Sequence, residues 1–152
     1  MPDVIRTSKM KHRSKIWREP PPLALPDDPA FFSHCDAAWL AYETTGDGAA
    51  VYAIVRFDRV IDFHLSPIND EGLGSHPYAS LGLRSYEFNE LFDTKETRRW
   101  DSLSPRHFVI TFKDVTIDVV CGDAVVLEIA VPSDSPREAL RRFGESQANI
   151  GG

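Results

Sequence analysis

Residues 105–131 (PRHFVITFKDVTIDVVCGDAVVLEIAV) constrain the fold more than any other part of the chain. Phe108, Ile110 and Phe112 fall on every second position, as do Val115, Ile117 and Val119, and then Val125, Leu127, Ile129 and Val131. Alternation with period two puts each set on one face of a strand. Lys113-Asp114 and Gly122-Asp123 interrupt the runs where the chain must reverse, and Gly at a first central position suits a primed hairpin turn. The pattern predicts a three-stranded antiparallel meander.

The same logic extends upstream. Residues 37–45 read as a strand closed by a Gly46-Asp47-Gly48 turn, with 49–57 as its hairpin partner. Asp58-Arg59 reads as a bulge or turn. Residues 60–66 form the next strand, where Ile61, Phe63 and Leu65 alternate with Asp62 and His64. Residues 83–92 form another, with Tyr86, Phe88 and Glu90 on one face, and Trp39 belongs to the core. Residues 94–104 are polar and end at Ser104-Pro105, which reads as a short helical turn followed by loop. The well-marked helix is near the end: Ser135 caps, Pro136 suits the first helical position, and Glu138 completes a capping box. It runs through Ala139, Leu140 and Phe143 with Arg137, Arg141 and Arg142 toward solvent. Gly144 marks a weak point or stop, and 148–152 fray. The expected fold class is mainly β: an antiparallel sandwich, half-barrel or strongly curved sheet of six to seven strands with one C-terminal helix.

A chain of 152 residues fits one domain and is long enough to fold without disulfide or metal. Residues 31–148 read as that domain. Residues 1–30 read as an irregular arm, first basic and then proline-rich (Pro20, Pro21, Pro22, Pro26, Pro29), either disordered or loosely docked. Met10 offers an alternative start. No apolar run approaches a membrane span, and the basic N-terminus lacks the apolar segment of a secretory signal. Cys35 and Cys121 are far apart, so two reduced thiols in a cytoplasmic protein are expected.

Charge is unevenly spread. The net charge is −6, yet residues 1–19 carry six basic against two acidic side chains, and the remaining residues carry 11 basic against 21 acidic. The body is therefore strongly acidic. It favours encounter with a basic protein and argues against nucleic acid on the folded body.

Residues 66–82 (SPINDEGLGSHPYASLG) are the expected functional loop. Irregular segments of this length inside a compact domain are usually functional or disordered. Ile68, Leu73, Tyr78 and Leu81 can pin this one to the body. Its ionisable groups are Asp70, Glu71 and His76, with His64 leading in and His107 at the start of the last β region. These five are the catalytic candidates. A carboxylate would act as base, and a histidine as acid or metal ligand. A metal site from His64, Asp70 or Glu71, and His76 can be drawn, but no spacing enforces it, and no metal or cofactor is expected. The competing structural reading makes Asn69 and Asp70 a turn, leaves Glu71 solvated, has His76 bind loop backbone and puts His107 at a solvent edge. Binding candidates are Asn69, Asp70, Glu71, His76 and Tyr78, together with Arg98, Arg99 and Trp100, a combination enriched at binding hot spots.

Two stretches resemble a group of small bacterial β-rich proteins. In that group a Pro-Asn-Asp-Glu-like loop with His-Pro-Tyr and Gly-Leu precedes a strand, and a His-Phe-x-x-x-Phe-x-Asp-x-Thr hairpin follows. The matching positions are Asn69, Asp70, Glu71, His76, Pro77, Gly82, Leu83, Phe88, His107, Phe108, Phe112, Asp114 and Thr116, within residues 60–121. The resemblance implies a β-rich fold and a bacterial origin. It carries no activity, and it draws attention to the two histidine-bearing segments.

Three functional classes remain. The first is a non-enzymatic module that binds a basic protein, as immunity proteins bind basic toxins. The second is a metal-assisted or acid–base hydrolase working from the 66–82 loop. The third assigns binding to the basic arm. An open sheet edge would permit pairing between copies, and the sequence leaves the oligomeric state open.

Overall fold

The computed structural model of the chain describes residues 13–24, 28–45, 48 and 50–151. Most of the basic leader, and Gly46-Asp47 of the expected turn, lie outside the described residues. Among the described residues nine strands form two antiparallel sheets packed as a sandwich that does not close into a barrel. They are β1 (Ser14–Ile16), β2 (Ala30–His34), β3 (Ala37–Thr44), β4 (Val51–Asp58), β5 (Asp62–Ser66), β6 (Phe88–Leu91), β7 (Arg106–Thr111), β8 (Thr116–Cys121) and β9 (Asp123–Pro132). One sheet has the order β1-β6-β7-β8-β5 and the other β2-β3-β4-β9. Helix α1 (Lys95–Arg99) lies between β6 and β7, and helix α2 (Pro136–Gly151) packs on β3. Among the described residues no helix is long and apolar enough to cross a membrane.

The core is the layer between the sheets. Tyr42 and Phe57 from one sheet meet Phe88 and Phe108 from the other, with ring centroids 5.4 Å (Tyr42–Phe88) and 5.9 Å (Phe57–Phe108) apart. Burying each such ring contributes on the order of 1.5–3 kcal/mol relative to leaving it in water. The first hairpin of the expected meander is present: β7 pairs with β8 around Lys113-Asp114, with Thr111 opposite Thr116.

The second hairpin is not. β9 pairs with β4 in the opposite sheet. Only Gly122 separates β8 from β9, one residue fewer than the shortest common hairpin loop needs. The ribbon instead bends there and crosses between sheets. Gly122 N–H donates to the Asp58 and Arg59 carbonyls (2.9 and 3.1 Å), where β4 leaves the same sheet toward β5. A Cβ at Gly122 would lie 2.4 Å from Arg59 Nε, the movable end of a side chain folded over the corner. Bulges in the β4–β9 pairing then shift the register. Ala124 and Val126 face the core, and Ile129, assigned to an apolar stripe by its spacing, is 63% exposed.

The arm also differs from expectation. β1 pairs with β6, and Trp17, 7% exposed, packs on Phe88 and Phe108 at 5.7 and 5.1 Å. Trp17 is thus a core tryptophan, whereas Trp39 is half-buried on the outer face against Phe32. The prolines after Trp17 lack amide donors, and their carbonyls are met from β3: Tyr42 Oη donates to Pro21 O at 2.7 Å and Thr44 Oγ1 to Pro22 O at 2.6 Å. A proline run has only carbonyl acceptors to satisfy, so it needs only donor partners and docks readily on such a strand.

Helix α2 begins as expected, with Ser135 Oγ accepting from Glu138 N–H at 3.1 Å. The Glu138 carboxylate turns to Arg141 and Arg142 instead of closing the box. The helix continues through Gly144, since glycine inside a helix costs about 1 kcal/mol but does not forbid it.

Candidate functional site

The outward positions of β7 and β8 are His107, Val109 and Thr111, and Thr116, Asp118 and Val120. An outward face so polar is buried here because residues 66–105 lie across it and supply partners. Thr116 Oγ1 donates to Ile68 O (2.9 Å), Thr111 Oγ1 to Arg84 O (2.6 Å), and Asn89 Nδ2 to the carbonyls of Arg84 and Val109 (both 3.1 Å). The 66–82 loop is therefore an ordered cover, pinned by Leu73 and by Ser14 Oγ donating to Leu81 O at 2.7 Å.

Beneath the cover is one hydrogen-bonded circuit. His76 Nδ1 accepts the Tyr78 backbone N–H at 3.0 Å, so its ring proton sits on Nε2 and is donated to Asp118 (3.0 and 3.1 Å to the two oxygens). His107 Nε2 faces Asp118 Oδ1 at 3.5 Å, and His107 Nδ1 lies 3.0 Å from Thr94 Oγ1. Thr94 caps α1: its Oγ1 accepts Thr97 N–H (3.2 Å), and its own N–H donates to Thr97 Oγ1 (2.9 Å). Tyr78 Oη donates to Glu96 and accepts Lys95 N–H at 3.3 Å, with its ring edge-on to His107 at 5.5 Å. Both histidines are buried, 5% and 2% exposed.

Burial raises the pKa of Asp118, but the hydrogen bonds from His107 and His76 outweigh it and hold the carboxyl below its usual range. Glu96 balances burial against the Tyr78 hydroxyl in the same way and is also lowered. Tyr78 is raised, by burial first and Glu96 second.

The circuit forms the floor of an open cleft of about 370 Å³, with Asp62 and His64 of β5, and Lys95 and Glu96 of α1, on its walls. His64, His76, Tyr78 and His107 thus converge as a group. His107 is buried, not at the solvent edge its position suggested. Asn69, Asp70 and Glu71 are not in the cleft. Asn69 Oδ1 accepts Gly72 N–H at 2.7 Å. Asp70 Oδ1 accepts Glu71 N–H at 2.9 Å, Tyr86 Oη donates to the other Asp70 oxygen, and Asp70 N–H donates to Lys113 O at 3.0 Å. The Tyr86 hydrogen bond is the main reason the Asp70 carboxyl is lowered. Glu71 is exposed. Of the three, Asp70 fastens the loop to the β7–β8 turn through Lys113 O.

Arg98 bonds Asp93, and Arg99 stacks on Trp100 at 5.1 Å, a separate exposed patch. Sequence reasoning missed Asp118, Glu96 and Thr94. A signal for Asp118 existed: the β7–β8 register puts His107 opposite Val120 and Asp118 opposite Val109, diagonal neighbours on one face. Among the described residues no group of three or more His, Cys, Asp or Glu side chains is placed to hold a metal ion. A second concavity, apolar and about 820 Å³, lies between α2 and β2–β3, with Phe31, Phe32, Trp39, Leu140 and Phe143 among its walls.

Comparison of the chain with known protein families, with curated proteins and with solved structures finds no match.

Proposed function

We propose that the protein is a non-enzymatic binding module whose acidic cleft receives a basic protein partner, in the manner of an immunity protein. The observation that carries this reading is the closure of the circuit. Each nitrogen of His76 and His107, and the hydroxyls of Thr94 and Tyr78, has an internal partner, so the floor is a fixed, hydrogen-bonded surface. The cleft sets the carboxylates of Asp62, Glu96 and Asp118 against Lys95, the one lysine or arginine among its described lining residues. Together with the acidic body, this draws in a cationic side chain and repels phosphate. Cys35, exposed and free, and the buried free Cys121 suit a reducing cytoplasm.

Stopped-flow association with lysozyme, a small cationic protein, tests the reading. The rate should fall about tenfold or more between low and high salt. It should also fall in the Asp62→Asn/Glu96→Gln pair but not in Glu128→Gln/Asp134→Asn, which removes the same charge from exposed positions elsewhere. A rate that is flat in salt, or that responds equally to both pairs, overturns it.

One observation favours a second reading, acid–base hydrolysis: three histidines and three carboxylates line one cleft. With Asp70 and Glu71 elsewhere, the base would be Asp118 or Glu96. Turnover of a phosphodiester or ester substrate that disappears in Asp118→Asn would support it.

A further inference from the structure

We propose that His76 is an acid-operated latch on the cover of the cleft. The cleft as the binding face is the reading above, and the latch would regulate it. At His76 the single ring proton is on Nε2, committed to Asp118, and Nδ1 accepts the Tyr78 amide at 3.0 Å. A second proton must go on Nδ1. There it meets a backbone N–H, which has no acceptor to offer, so the hydrogen bond becomes a contact between two donors. His107 is built differently. Its Nδ1 faces the Thr94 hydroxyl at 3.0 Å, which can rotate and accept. Of the two buried rings, only His76 loses a bond on protonation, and the bond lost is the one that holds Tyr78.

Charged groups from three elements face the ring. Asp118 on β8 touches the ring. Glu96 on α1 and Asp62 on β5 line the same cleft and favour a cation, while Lys95 on α1, and His64 and His107 when charged, oppose it. The geometry assigns a second proton to the atom that fastens the cover. Release of Tyr78 also withdraws its hydroxyl from Glu96, which loosens the cover from α1.

The latch is testable in the free protein, independently of any partner. Hydrogen exchange of the Tyr78 amide, expressed as a protection factor, should fall about tenfold from pH 8 to pH 5, as expected for one lost hydrogen bond. In His76→Asn, whose side-chain oxygen can still accept the amide but cannot take a proton, protection should be flat over the same range. Because that variant also loses the Asp118 contact, the wild-type ring is read directly as well. Its ¹⁵N shifts should show Nε2–H alone at pH 8 and both nitrogens protonated at pH 5. A wild-type Tyr78 amide whose protection does not change, or an Nδ1 still unprotonated at pH 5, overturns the latch even if lysozyme binds at the cleft. Loss of lysozyme binding with the amide response intact overturns the binding reading and leaves the latch standing.

Discussion

Asp118 occupies the position where two buried imidazoles and one strand meet, with its side chain 18% exposed. Its folded pKa lies below the unfolded value of about 3.9. The sign follows from that direction: the ionised carboxylate contributes stability in full above the unfolded pKa, and the contribution is lost as pH falls through the folded one. Asp118→Asn keeps an acceptor for one ring N–H but turns an amide N–H toward the other. We expect a loss of about 1–3 kcal/mol at pH 7. Urea titrations at pH 7 and pH 3 should show the gap between wild type and variant closing in acid. A gap of constant size would mean that the charge on Asp118 does not hold the circuit together. Half of this site was legible in the sequence. His76, Tyr78 and His107 stood out as unusual residues in a long loop and on a mixed face. Asp118 did not, because a lone carboxylate at an outward strand position is ordinarily solvated. Asp70 and Glu71 stood out for the wrong reason: an Asx turn and a catalytic carboxylate look alike until their partners are known.

At the scale of elements, alternation identified strands and their faces but not their neighbours. The faces of β7 and β8 agree with the spacing, and β9 is a strand, yet it pairs in the other sheet because a single-residue joint permits a bend and not a reversal. β6 is shorter than expected for a different reason. The Asn89 side chain binds Arg84 at both its N–H and C=O, which stabilises a turn through Tyr86 at φ +60° where a longer strand would have run. Docking was one of the two states expected of the proline-rich arm, but the depth of its contact with the core was not legible. Proline excludes regular structure but not docking, and the three residues of β1 are too few for a periodic signal. Trp17→Ala should therefore cost about 3–5 kcal/mol, the range for emptying a buried aromatic site. An unchanged denaturant slope with a lowered midpoint would confirm that the loss is in the native core. A cost below about 1 kcal/mol would show that the arm contributes little to the core.

Across the whole molecule, two layers rest on opposite faces of the same sheet and are held by different forces. Inside, aromatic and aliphatic side chains pack away from water, and nothing there titrates near neutrality: the Cys121 thiol, wholly buried on the inner face of β8, is pushed up to about 12 by that burial. Outside, the cover is held by hydrogen bonds to polar strand residues and by a few anchors such as Leu73. Apolar burial scales with area and is insensitive to pH, whereas a circuit of imidazoles and carboxylates is not. The layers should open separately, the cover by local release and the core only with global unfolding. Thiol labelling with 4,4′-dithiodipyridine, which reacts in mild acid, reads the core. Cys35, exposed in the β2–β3 turn, should label at once at both pH 8 and pH 5. Cys121 should label at a rate set by global unfolding, accelerating with urea at the full equilibrium slope. At pH 5, where the Tyr78 amide has lost protection, Cys121 should remain unreactive. If Cys121 becomes reactive together with the amide, the cover and the core are one cooperative unit, and acid cannot open the cleft without unfolding the protein.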